Sequence, residues 1–149
     1  MSEFAQSPPA LPDRSPCPCG SGLPYGGCCG RWHAGPLHLL APDAPALMRS
    51  RYSAFVLGLS DYLLATWHAG TRPAALPPNE PGLKWLGLEL RGSGPGAPGG
   101  GAGAAADTDR AWVEFVARSK LGGRAHRSHE TSRFVREAGR WFYLDGELK

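Results

Sequence analysis

Cysteine is absent from this chain except in one place. All four lie within residues 17–29, in the run CPCGSGLPYGGCCG. The rest of the sequence can therefore carry neither a disulfide framework nor a second thiol site. No stretch approaches the ~20 apolar residues of a membrane-spanning helix. Residues 1–16 (MSEFAQSPPALPDRSP) have neither the basic start nor the apolar centre of an export signal, so a cytoplasmic address is expected. Neither sign of charge dominates: 16 Lys+Arg against 13 Asp+Glu removes the broad electrostatic case for nucleic acid. The late cluster of Arg118, Lys120, Arg124, Arg127, Arg133, Arg136 and Arg140 reads as a solvated strand face rather than a phosphate track. Also missing are a phosphate loop, a dinucleotide fingerprint and a nucleophile–base constellation.

What is present is a candidate metal site. Cys17, Cys19, Cys28 and Cys29 offer four sulfurs, and Zn²⁺ favours four thiolates in a closed, structural tetrahedron. Pro18 favours an extended segment, which sends Cys17 and Cys19 to one side. Gly20, Gly22, Gly26 and Gly27 can supply the positive φ angles that return the chain. The adjacent pair Cys28–Cys29 suits a turn. The segment has few apolar residues (Leu23, Tyr25, Trp32), so a metal worth on the order of 10–16 kcal/mol in small finger peptides would decide its folding. Zinc is the expected ion and iron its chief rival. Cross-paired disulfides such as Cys17–Cys28 with Cys19–Cys29 remain open sterically but need an oxidising compartment. His33 can replace a cysteine as ligand, although it reads more simply as a lone surface histidine.

Along the chain, residues 1–14 read as a disordered Pro/Ser-rich tail, 15–35 as the knuckle and 40–149 as one further domain. Leu47, Tyr52, Phe55, Val56 and Leu59 recur at helical spacing, which predicts a helix over 45–58 opened by Asp43 or Pro45. Ser60 is placed to cap a second helix over 61–67, with Tyr62, Leu63 and Trp67 on its apolar face. Alternation then predicts strands over 85–90, 110–119, 125–136 and 140–144. Residues 91–106 (RGSGPGAPGGGAGAAA) read as a flexible low-complexity loop. Helices followed by an antiparallel meander is an α+β layout.

CPCGSG followed by CC resembles the SEC-C motif, the metal-binding knuckle at the carboxyl end of SecA. LMRSRYSAFVLGLSDYLLATWH (47–68) and HETSRFVREAGRWFYLDGEL (129–148) resemble the YchJ family of small bacterial proteins. The resemblance implies a fold similar to nuclear transport factor two, cystatin-like: a cone of helices on a curved four-stranded antiparallel sheet, preceded by a zinc knuckle. In SecA the knuckle is lysine-rich between its cysteine pairs, a face implicated in docking the chaperone SecB and the ribosome. Here residues 21–27 carry no charge, which retains the metal site and removes the basis for that docking.

Period two sorts the strands into two faces. One holds Leu86, Leu88, Leu90, Val113, Phe115, Phe142 and Leu144; the other holds Trp85, Glu89, Trp112, Glu114, Val116, Arg118, Trp141 and Tyr143. If the helices cover the first, the second is a ring-rich surface able to form a homodimer. If they cover the second, its aromatics line a pocket that Glu130, Ser132 or His129 can join. Two functions follow. The favoured one is a binding module that takes a protein partner or a small apolar ligand. The other is an enzyme of ketosteroid-isomerase type, with Glu114 or Glu130 as base and Tyr143 or Tyr52 as donor. Against it, Glu114–Arg118 and Glu130–Arg133 read as ion pairs, and His68 as a helix-end or core histidine. The domain is expected to have its own core, so Cys28→Ser should cost metal but not the domain's melting.

Overall fold

The computed structural model describes residues 11–98 and 108–149. In chain order it has a 3-10 turn at Tyr25–Gly27, helices α1 (Gly30–His33), α2 (Ala44–Leu57) and α3 (Ser60–Ala65), and strands β1 (Lys84–Pro95), β2 (Arg110–Leu121), β3 (Arg124–Glu137) and β4 (Arg140–Leu148). The strands form one antiparallel sheet in the order β1-β2-β3-β4. The expected α+β layout is the one observed.

Asp43 starts α2 by accepting the Ala46 N–H at 2.8 Å, and Pro45 sits in the first turn, where no donor is needed. Gly58 ends it at φ 71°, a left-handed cap that a side chain would oppose. Between these ends the helix is buried nearly all round: Leu47, Met48, Ser50, Arg51, Tyr52, Ser53 and Ala54 are all inaccessible. Such a helix is a central element rather than a surface one. Ser60 is the first residue of α3 rather than its cap; Leu59 holds that position and makes no side-chain cap bond. Trp67 also falls outside α3. It bridges in parallel to Tyr143, with His68 N–H to Tyr143 O at 2.7 Å and Tyr143 N–H to Thr66 O at 2.8 Å.

The sheet departs from the expected faces because three register shifts interrupt its alternation, at Trp85/Gly87 and Leu90/Gly92 between β1 and β2 and at Arg133/Phe134 between β3 and β4. Between Trp85 and Gly87 the register shifts, so Trp85 pairs with Ser119 and turns to the same side as Leu88, Leu90, Phe115 and Ala117. Leu86 is the extra residue and is 56% exposed. The shift at Arg133/Phe134 pairs Phe134 with Tyr143, which brings Tyr143 and Trp141 to that same side. The covered face is thus a mixture of the two predicted sets. Phe142 and Glu114 lie on the opposite face.

Strand β1 also runs through residues 91–95, which the low composition marked as loop. Ser93 pairs with Val113 and Gly94 with Trp112. The reason is steric: a Cβ on Gly94 would meet the Trp112 indole at 2.9 Å, so glycine makes room for the ring across the strand. The remainder of that predicted loop, from residue 99, lies outside the described residues, as do residues 1–10 of the predicted tail. Further along that tail, Leu11 packs on the core and Asp13 O accepts the Gly26 N–H at 2.9 Å.

One apolar cluster joins everything. It contains all four cysteines, Tyr25 and Trp32 together with Leu47, Tyr52, Tyr62, Val113, Phe115 and Phe134. The knuckle and the sheet thus pack against one another across α2.

Candidate functional site

The knuckle closes through local geometry. Cys17 N–H donates to Leu23 O at 3.0 Å and Tyr25 N–H to Ser15 O at 2.7 Å, making a narrow loop. Gly20 and Gly22 turn it at φ 78° and 85°. Gly26 and Gly27 do not use positive φ, contrary to the expectation; Gly26 is instead pressed against Asp13, where a Cβ would lie 2.6 Å from the Asp13 side chain. Cys28 and Cys29 occupy the corner between the 3-10 turn and α1, so neighbouring residues can face the same centre.

The four sulfurs lie within 4.8 Å of one another, and Cys19 and Cys28 are 3.6 Å apart. A tetrahedron of thiolates around Zn²⁺ needs sulfur separations of about 3.8 Å. All four thiols are free, so the disulfide alternative is not adopted. Cys19 and Cys29 are 0% and 1% exposed, a closed site of the structural kind. Hydrogen bonds from Cys17 and then Cys29 pull the Cys19 thiol down. The same sharing, led by Cys17 and Cys19, pushes the Cys29 thiol up, and burial pushes Cys28 up. Four buried sulfurs this close together suit a divalent cation, which would neutralise thiolate charge that none of them can hold alone.

Two residues outside the knuckle, Arg49 and Ser53, and one within it, Ser21, support the sulfurs, and the cysteine spacing gave no sign of them. Arg49 Nη1 donates to Cys19 O at 3.2 Å and approaches Cys19 Sγ at 3.8 Å. Ser53 Oγ lies 3.7 Å from Cys17 Sγ, and Ser21 Oγ lies 3.1 Å from Cys28 Sγ. Arg49 and Ser53 are one helical turn apart on α2, and that i, i+4 pair was the available signal. Four thiolates around a dication carry a net double negative charge, which Arg49 offsets.

His33 is not a ligand, and it is half-buried rather than a surface histidine. Its Nε2–H donates to Ser50 O at 2.8 Å, so its Nδ1 accepts the Tyr25 hydroxyl at 2.5 Å. Burial lowers its pKa, led by desolvation. The folded state thus binds fewer protons than the unfolded chain near the ordinary histidine range. Its contribution is present above pH ~6.5 and is lost as pH falls through the lowered folded value. Thermal melting should show stability declining from pH 7.5 to 5.5, and His33→Gln should flatten that decline.

On the other side of α2 lies a cavity of about 240 Å³. It is lined by Arg51, Tyr52, Trp67, Trp85, Glu130 and Tyr143, with Met48, Phe55, Phe115, Ala117, Ser128 and Ser132 completing the wall. Three of the four predicted pocket residues, Glu130, Tyr143 and Tyr52, therefore meet here. Glu114 does not. It lies on the far face, where its Oε2 is 2.6 Å from His129 Nε2, so His129 is also excluded from the cavity. The expected ion pairs are rearranged too: Arg118 is 3.7 Å from Glu89, and Arg133 Nε is 2.6 Å from Asp145. His68 closes the end of the helical segment, 2.9 Å from Glu137.

The residue missed by sequence reasoning is Arg51. It is 3% exposed and forms no ion pair among the described residues. Nη1 donates to Leu63 O at 2.8 Å and to Thr66 Oγ1 at 2.7 Å. The Tyr143 and Trp67 rings lie 4.5 and 5.2 Å from its guanidinium carbon. Burial pulls its pKa down to about 10, so it is still cationic at neutral pH. The favouring carboxylate is Glu130 in the same cavity wall, which acts on the guanidinium without forming an ion pair with it. Burial also raises the Tyr143 and Tyr52 phenols, which stay neutral donors. A larger groove of about 800 Å³ adjoins Phe55, Leu76, Pro77, Leu83 and Trp85, but Glu80 is the one charged group in its wall.

Residues 43–146 match the family model described as YchJ, middle NTF2-like domain. A UPF0225 protein of Methylibium petroleiphilum is 62% identical over 89% of this chain and 88% of its own. Another, from Bordetella parapertussis, is 53% identical over 97% of this chain and 99% of its own. The solution structure of a SEC-C motif containing protein from Rhodopseudomonas palustris matches with TM-score 0.71 at 32% identity, covering 89% of this chain and 98% of that one. The crystal structure of a SEC-C motif containing protein from Psychrobacter arcticus matches with TM-score 0.68 at 26% identity, over 92% and 84% respectively.

Proposed function

We propose that this chain, which belongs to the YchJ family, is a metal-braced module that binds a small ligand between α2 and its sheet. Cys17, Cys19, Cys28 and Cys29 hold one structural Zn²⁺, with iron the competing ion. The observation that carries this reading is the burial of all four converging sulfurs. A closed four-thiolate site has no open position for substrate, so the metal serves as a brace and binding falls to the cavity beside it. Native mass spectrometry of protein purified under reducing conditions should show one metal ion per chain and a small-molecule adduct that departs on gentle denaturation. A metal-free, fully folded chain would end the site assignment; a metal-loaded chain that never carries or takes up a small molecule would end the binding reading.

Convergence of Glu130, Tyr143 and Tyr52 on one cavity favours a second reading, a proton-transfer enzyme in which Glu130 is the base and a neutral phenol the donor. Cyclohex-3-enone is small enough to test it. Conversion to the conjugated enone, followed by absorbance, should be faster with the native protein than with Glu130→Gln. Equal rates would remove Glu130 as a base.

A further inference from the structure

We propose that the cavity recognises a planar, single-ring carboxylate that carries a hydroxyl or amino donor at its far end. The inference rests on the small-ligand reading above and names the class of ligand.

The guanidinium of Arg51 is committed on all but one side. Nη1 spends its hydrogens on Leu63 O and Thr66 Oγ1, and the Tyr143 and Trp67 rings lie beside the group at cation–π distance. The Nε/Nη2 edge has no acceptor among the described residues. That edge is the fork that meets a carboxylate through two parallel hydrogen bonds. The Trp67 and Trp85 indoles line the same cavity, while their Nε1–H groups are closed off within the wall. An arginine fork at a cavity wall with no acceptor of its own points to a ligand that accepts.

Glu130 supplies the other end. Its Oε2 accepts the Ser132 hydroxyl at 3.1 Å, and it forms no ion pair among the described residues. A carboxylate in the wall disfavours a dianion such as phosphate and favours a monoanion whose opposite end donates a hydrogen bond. Between the two polar ends the wall is aromatic: Tyr52, Phe55, Trp85 and Phe115. The volume, about 240 Å³, is below the ~300–1,000 Å³ usual for drug-sized ligands and suits one ring.

The test uses the zinc-loaded full chain, ¹⁵N-labelled, with 4-hydroxybenzoate, benzoate and phenol as probes, and follows the indole N–H resonances. 4-Hydroxybenzoate should shift the Trp67 and Trp85 resonances saturably. Benzoate should bind about ten-fold more weakly, and phenol more weakly still. Arg51→Lys keeps the charge but not the fork, and should weaken both benzoates at least about ten-fold while leaving phenol unchanged. Glu130→Leu should erase the preference for 4-hydroxybenzoate over benzoate, and it stands alone if Arg51→Lys fails to fold. Phenol binding as tightly as 4-hydroxybenzoate, or Arg51→Lys binding benzoates normally, would overturn the ligand class. Silence from all three probes would overturn it as well. The broader binding reading is decided separately, by whether native mass spectrometry finds a small-molecule adduct.

Discussion

Removing the metal should lower the melting temperature of the whole chain, not of the knuckle alone. Structural zinc contributes on the order of 10–16 kcal/mol in finger peptides, against about 5–15 kcal/mol of net stability for a typical domain. In this chain the loss cannot stay local. The four cysteines, Tyr25 and Trp32 share one apolar cluster with Leu47, Val113 and Phe134. Polar ties run the same way: Arg49 to Cys19, Ser53 to Cys17, and His33 to Ser50. Chelation, or Cys19→Ser, is expected to lower the melting temperature by about 15 °C or more, at ~2–4 °C per kcal/mol for a chain of this size. Scanning calorimetry with and without chelator measures it. A single transition that moves supports shared packing; a main transition unmoved within about 3 °C would show that the sheet and α2 stand without the knuckle.

Phe134→Ala should be the most damaging single change in the sheet. Phe134 is 1% exposed, and its ring is 5.9 Å from that of Tyr143. Truncating a buried phenylalanine costs about 3–5 kcal/mol, through lost transfer energy and the cavity left behind. Leu86→Ala should cost no more than about 0.5 kcal/mol, since Leu86 is 56% exposed at the bulge. The pair tests the assignment of faces, because plain alternation placed Leu86 in the apolar set and left Phe134 out of both. Urea denaturation curves of the two variants give the comparison. Similar losses in both would mean that the bulges do not set the faces.

The helical half of the molecule was largely legible in the chain. Asp43, Pro45 and Gly58 are strong boundary residues, and the spacing of Leu47, Tyr52 and Phe55 is a direct imprint of one buried stripe. The cysteine cluster was equally plain, because proximity in sequence and shared chemistry point the same way. The sheet faces were not legible. Each bulge adds one residue to one strand, and nothing in the alternation of Trp85, Leu86 and Gly87 marks which is the extra one. Residues 91–95 were hidden for a different reason: glycine there accommodates Trp112 from the neighbouring strand, and that close approach cannot be seen from one strand alone. Arg51 was concealed by its type. An arginine between Ser50 and Tyr52 looks like a solvent-facing residue until the helix is found to be enclosed on all sides.

Arg49 faces the sulfurs while Arg51, two positions on, faces the cavity. Each residue of a helix turns its successor by about 100°. Gaining or losing a single residue near the start of this segment would swing both arginines off their targets in one stroke, away from the cysteine cluster and from the cavity together. The helix is therefore expected to accept exchange of side chains more readily than a change of length.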